Sequence, residues 1–153
     1  AINMGVDTAV EIATAFNNVI AIKECSGDLV QISELVTKLP AHVKVYSSDD
    51  DLTLPILAVG GVGVVSVASH VVGLEIQQMI KAFFAGQVAE AGKIHRQLLP
   101  LFNAIFMTTS PAPTKFALAV RGIIGEAVRL PVIPLSADEK SHMREVLTDF
   151  VTA

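Results

Sequence analysis

The sequence predicts an α/β protein with parallel strands, and three observations carry that prediction. Helix-period segments alternate with β-branched segments over residues 1–70, the rhythm of parallel α/β structure. The strand-like segments are apolar along most of their length, as strands are when covered on both faces. Hydrophobic residues make up 52% of the 153 residues and charged residues 17%, with a mean hydropathy of +0.57. That is too apolar for disorder and long enough for a sizeable core.

The elements follow in order. From Thr8 to Phe16, Thr8 and Glu11 have capping-box spacing, and Ile12 and Phe16 supply an apolar stripe. Residues 19–24 form a first buried strand, apolar until Lys23 and Glu24. From Asp28 to Lys38, Leu29, Ile32, Leu35, Val36 and, just beyond, Leu39 recur at helical period. Residues 43–47 form a second strand and 63–67 a third, both rich in β-branched residues. Between them Leu52 to Val59 reads as a helix stopped by Gly60 and Gly61. The remainder is helical. Ile76, Met79, Ile80, Phe83 and Phe84 make one stripe, capped by Gly86. Ile94, Leu98, Leu101, Phe102 and Ile105 make the next, with a kink expected at Pro100. Pro113 suits the first turn of a helix reaching Ile124. After a turn-rich link, Ser136 and Glu139 form a capping box ahead of Met143, Val146, Leu147 and Phe150. Three parallel strands cannot close a barrel, which needs eight strands and typically about 250 residues. Periodicity leaves open whether this is a small open α/β layer with a helical appendix or a piece of a barrel.

Several function classes fall away on composition. The net charge of −4, with no basic stripe, argues against a nucleic-acid partner. The longest apolar stretch, residues 54–69, is interrupted by Pro55, glycines and serines and falls short of the roughly 20 residues a membrane span needs. No segment has the layout of an export signal, and the single cysteine, Cys25, allows no internal disulfide and fits a reducing, cytoplasmic compartment. His42, His70, His95 and His142 are too scattered to build a metal site. The chain opens without an initiator methionine in a loop-like Asn3-Met4-Gly5, which points to a native N-terminus lying upstream.

Lys23 is the residue most open to chemistry. It stands at the C-terminal end of a predicted buried strand, the edge where catalytic groups gather in parallel α/β proteins. Apolar walls disfavour an ammonium and free the amine for attack on a carbonyl. The resulting protonated imine withdraws electrons, so a keto acid becomes a carbon nucleophile. On position alone, a lysine snorkelling to solvent or pairing with Glu24 is the plainer reading.

The surrounding words change that weighing. Ile22-Lys23-Glu24-Cys25-Ser26-Gly27-Asp28 resembles the Schiff-base lysine motif of the dihydrodipicolinate synthase and N-acetylneuraminate lyase family, I-K-E-[AS]-[ST]-G-[DN]. Tyr46-Ser47-Ser48-Asp49-Asp50 resembles that family's S-G-D-D, and Gly60 to Val67 its G-G-x-G-V-I-S-V. Ser110 to Lys115 is similar to N-P-x-P-x-K, Arg129-Leu130-Pro131 to R-L-P, and Gly5-Val6-Asp7 to the end of R-T-G-x-D. Order and spacing match over essentially the whole chain.

The resemblance implies strands six to eight of a TIM (β/α)₈ barrel in residues 1–70, then the last barrel helix and a C-terminal helical region in 71–153. It implies that Lys23 forms a Schiff base with pyruvate, with Val65 near the pyruvate carboxylate and Ser48 at the pocket, and that no metal or organic cofactor is needed. The activity implied is a lyase-type condensation of pyruvate with L-aspartate semialdehyde, in lysine and diaminopimelate biosynthesis. A sister aldolase acting on N-acetylneuraminate or 2-keto-3-deoxy-sugar acids is the alternative. From a different class comes a non-catalytic truncated assembly unit. The expected partners are pyruvate, an aldehyde, and either further copies of the chain or a missing N-terminal half.

Two departures bear on that activity. Asn3 stands where the family has the arginine that grips the second substrate, and an amide cannot make a bidentate charged contact. Ser48 replaces a glycine of S-G-D-D. Other candidates read as structural. Cys25 has no histidine partner and is expected to be a small packed residue. Asp49-Asp50-Asp51 is expected to cap a helix rather than hold a cation. Gly60-x-x-Gly63 precedes a strand, the wrong order for a phosphate loop, and is expected to end a helix. His95 and Lys115 are helix-face residues.

Overall fold

The computed structural model describes residues 2–150, which form seven helices and one sheet of three parallel strands. They divide into two compact units between Ser66 and Val67. In the first, α1 (Val6–Ala15), β1 (Ala21–Glu24), α2 (Leu29–Lys38), β2 (Lys44–Ser47), α3 (Thr53–Ala58) and β3 (Gly63–Val64) alternate as expected. Strand order is β1-β2-β3. The register pairs Lys23 with Tyr46 and Glu24 with Ser47, and Tyr46 and Ser47 with Gly63 and Val64. The strands therefore end level with one another.

The core of this unit joins the inner faces of α1 and α2 to β2: Ala9, Ala13, Ile32, Leu35, Leu39, Val45 and, from α3, Ile56. In α2 the periodic residues Ile32 and Leu35 are buried as expected, and Asp28 caps the helix by accepting from the Val30 and Gln31 N–H groups. α1 differs from expectation. Gly5 is its N-cap, with no side-chain cap, so Thr8 and Glu11 lie inside the helix rather than across its start. Its buried residues are the small Ala9 and Ala13, while Ile12 and Phe16 are 37% and 57% exposed.

β1 is also more open than a buried strand should be. Ala21 and Lys23 are exposed, Ile22 is half-buried, and only Glu24 is buried. The reason is the face: Ala21 and Lys23 share a side of the sheet with Lys44 and Tyr46 of the central strand, which are exposed and half-buried too, while the opposite side packs on the helices. The N-cap position of α3 falls to Leu52, whose side chain makes no cap hydrogen bond.

The second unit holds α4 (Ser69–Phe84), α5 (Val88–Ile105), α6 (Ala112–Val120) and α7 (Ala137–Thr148). Met79, Leu98, Leu101, Ile105, Met143 and Leu147 fill its core. α4 breaks locally at Val72, whose backbone leaves the helical region. α5 runs through Pro100 as one helix. α6 stops at Val120, short of Ile124, because Gly122 takes a positive φ of 72° and turns the chain away. The Ser136–Glu139 capping box forms in both directions. The expected helical region extends to residue 153, and its last three residues lie outside the described ones.

Candidate active site

The level strand ends of the first unit bring the predicted site residues to one edge. Lys23 is the penultimate residue of β1, and Ser48 and Val65 each follow directly on β2 and β3. Backbone bonds continue the ladder past the strands. The Ser48 N–H donates to the Glu24 carbonyl at 2.8 Å, and the Val65 N–H donates to the Ser47 carbonyl at 2.8 Å. Lys23 and Val65 are exposed and Ser48 is half-buried.

Strand alternation puts Lys23 and Glu24 on opposite faces of the sheet, which removes the Lys23–Glu24 ion pair from consideration. Glu24 is 6% exposed. Its carboxylate accepts from the Ser26 N–H at 3.0 Å, the Ser26 hydroxyl at 2.9 Å and the Gln31 amide at 3.0 Å. Ser26 Oγ in turn accepts from the Asp28 N–H at 3.1 Å. A buried carboxylate thus fixes the loop that follows Lys23 and delivers the chain to the cap of α2, with charge-assisted bonds compensating its burial.

On the Lys23 face its cross-strand neighbour is Tyr46, whose ring leans over Gly63: a Cβ there would stand 3.1 Å from the ring. Beyond β2, Ser47 Oγ donates to the Asp49 carbonyl at 2.7 Å and accepts from the Asp49 N–H at 3.1 Å, curling the chain back. This turn brings the Asp49 carboxyl over the loop after β1, where a Cβ on Gly27 would lie 3.9 Å from Oδ2. Burial first, then the charges of Asp51, Glu24 and Asp50, raise the Asp49 carboxyl above the ordinary aspartate range, while Lys23 draws it down. Asp50, 1% exposed, accepts from the Ser66 hydroxyl.

Lys23 opens into a groove of 860 Å³ that runs along the free side of β1. Asn3 lines it too, donating to Gln31 at 2.7 Å, so an amide pair occupies the place where the resemblance sets an arginine. Cys25 is exposed at the same lip, its thiol directed to the Lys23 carbonyl at 3.8 Å, rather than packed as expected. The sequence does not single out Gln31, and it offers Glu24 only as an ion-pair partner of Lys23 and Asp49 only as part of an acidic helix cap. Period-two alternation is the signal that sets Glu24 off the Lys23 face, but its partners Ser26 and Gln31 belong to a loop and a helix, and no strand pattern announces them.

Among the described residues no helix is long and apolar enough to cross a membrane. The profile of the Dihydrodipicolinate synthetase family matches residues 1–150. The 4-hydroxy-tetrahydrodipicolinate synthase of Bacillus subtilis (strain 168) is 48% identical over 143 residues, which is 94% of this chain and 49% of that protein. The crystal structure of a dihydrodipicolinate synthase from Bacillus anthracis superposes with a TM-score of 0.92 at 42% identity, over 96% of this chain and 50% of that one. The Acinetobacter baumannii enzyme complexed with pyruvate superposes with a TM-score of 0.88 at 28% identity, over 95% of this chain and 50% of that one. The chain spans about half the length of the curated relatives it matches.

Proposed function

Since the chain belongs to the dihydrodipicolinate synthetase family, we propose that Lys23 is the amine that condenses with pyruvate in a synthase making 4-hydroxy-tetrahydrodipicolinate. The observation that carries this reading is the position of Lys23: at the C-terminal end of β1, level with the ends of β2 and β3, and open to a groove. The neutral amine adds to the keto carbon and, with one proton taken up, water leaves to give a protonated imine. Loss of a methyl proton gives an enamine, and its carbon attacks the aldehyde of L-aspartate semialdehyde. The imine itself supplies the electron sink, so the reaction calls for no separate cofactor.

Ser48 and Val65 are the proposed pyruvate contacts. The Val65 N–H already donates to the Ser47 carbonyl, so the contact proposed for Val65 is one of packing against pyruvate and not donation from that N–H. In this reading β1, β2 and β3 are strands six to eight of a (β/α)₈ barrel formed by residues 1–70, and residues 71–153 supply the last barrel helix and a C-terminal helical region. The C-terminal strand edge is where such barrels hold their chemistry. The proton-relay groups that the family resemblance assigns to earlier strands lie outside the residues of this chain, so full turnover calls for them to be supplied. Self-association and a cytoplasmic site of action fit the same reading.

Borohydride reduction in the presence of pyruvate, followed by mass spectrometry of the chain and of Lys23→Ala, tests it. A pyruvate-sized adduct on Lys23, absent from the variant, is the expected result. An adduct on another lysine, or one that survives in Lys23→Ala, would remove Lys23 from this role.

A further inference from the structure

The segment that joins α6 to α7 is held by a lysine from each helix. Lys115 of α6 donates from Nζ to the Ala127 carbonyl, and Lys140 of α7 pairs with Glu126 at 2.8 Å. Lys140 thus meets a carboxylate, and Lys115 meets only a carbonyl. Beside Lys115 lies a cavity of 490 Å³, lined by Pro111, Lys115, Ala127, Val128, Arg129 and Val132.

The charge of this cavity is one-sided. Ala127, whose carbonyl the Lys115 ammonium reaches, lines it, so the ammonium stands at the wall. Arg129 lines it as well. Lys115 is half-buried and Arg129 exposed, and neither has an ion-pair partner among the described residues. No acidic residue belongs to the lining. The nearest acid in sequence, Glu126, is spent on Lys140. A cavity of 490 Å³ is about 10 Å across, so its cations lie within about one Debye length of each other and repel. They do so in a chain whose net charge is −4.

An anion in the cavity relieves that repulsion, and the lining says which kind. Pro111, Val128 and Val132 make apolar wall, which a bare inorganic ion leaves unused. Arg129 brings a planar fork that takes a carboxylate through two parallel bonds, and the Lys115 ammonium keeps two further N–H donors beyond Ala127. Separate cations on an apolar-walled cavity match separate carboxylates on a short hydrocarbon chain.

We propose that this cavity is a binding site for a short aliphatic dicarboxylate, held by Arg129 at one end and by Lys115 at the other. The site is independent of Lys23, because a saturated dicarboxylate has no keto carbon for an amine to attack. When occupied, it ties α6 to the segment ahead of α7 through both cations.

Titration with glutarate at constant ionic strength, followed through the amide shifts by NMR, tests the site. Saturable shifts are expected at Lys115, Ala127, Val128, Arg129 and Val132, with none at Ala21 to Glu24. Arg129→Gln should weaken binding about tenfold or more. That variant keeps the local turn, in which the Val132 N–H donates to the Arg129 carbonyl at 3.0 Å. Lys115→Met should lose binding, and Lys115→Arg, which keeps the charge, should restore most of it. Butyrate, with a single carboxylate, should bind more weakly than glutarate.

Shifts that do not saturate, or that sodium chloride reproduces, mean ionic screening alone and overturn the proposal. Shifts centred on Lys23 place the ligand in the groove beside β1 and overturn it too. Inorganic phosphate binding more tightly than glutarate overturns the dicarboxylate class. Unchanged affinity in Arg129→Gln overturns the assignment of the site to this cavity.

Discussion

At the scale of single residues, the candidate site is a lysine amine set among carboxyls that do different work. Glu24 is consumed by structure, since its three donors hold the loop after Lys23. Asp49 has its carboxyl raised by burial and by neighbouring acids, with Lys23 acting against them. A raised carboxyl binds its proton more tightly in the folded state than in the unfolded chain. Its contribution to stability is therefore fully present below the unfolded value and is lost as pH rises through the folded one. Asp49→Asn removes that penalty and leaves the Ser47 bonds intact, because they use the Asp49 backbone. The variant should melt above the parent at neutral pH, with the difference closing as pH falls through the ordinary aspartate range. Melting temperatures of both proteins across pH check this, and a pH-independent difference would rule it out.

At the scale of elements, the helix ends show which glycines carry local conformation and which carry packing. α3 and α4 close with the same paired bonds. After α3 these run from Gly60 and Gly61 back to Leu57 and Ile56, and after α4 from Gly86 and Gln87 back to Phe83 and Ala82. Gly60 and Gly86 both have positive φ, at 105° and 77°. They differ in surroundings. A Cβ on Gly86 would meet nothing within 4 Å, whereas one on Gly60 would lie 2.7 Å from Val36 Cγ1. Gly86→Ala should cost about 1–2 kcal/mol, the left-handed penalty alone. Gly60→Ala adds overpacking of about 1–3 kcal/mol. Urea unfolding of the two variants should rank them in that order, and equal losses would contradict the packing argument. Both helix ends were legible in the sequence because glycine after an apolar stripe is a local signal. The end of α6 was missed, because the apolar Ile123 and Ile124 continue the pattern past Gly122.

At the scale of the whole molecule, the three strands end level at one edge, and the sheet face that carries Lys23 is uncovered. β1 reads as buried from its composition, yet Lys23 stands exposed beside the groove. Solvent stabilises an ammonium, and enclosure by apolar walls favours the neutral amine that attacks a carbonyl. Trapping of pyruvate on Lys23 should therefore be slow in the chain alone and accelerate when the unmatched half of the Bacillus subtilis relative is supplied. The rate of adduct formation with and without that half measures this. Equal rates would mean that the groove as it stands already provides all the surroundings the amine needs.

The sequence by itself determined the α/β class, the order of the elements and the motif around Lys23. Those properties are local: residue period, caps and short words of sequence. It also determined membership of the family, through matched words spread along the whole chain. Only the tertiary structure decided that β1 is an edge, that Glu24 serves the loop, that Asp49 curls back over the loop after β1 and that Ile12 and Phe16 are uncovered. Each of these depends on which neighbour a face meets. A pattern of apolar residues states that a face wants cover and says nothing of whether a partner is there to give it.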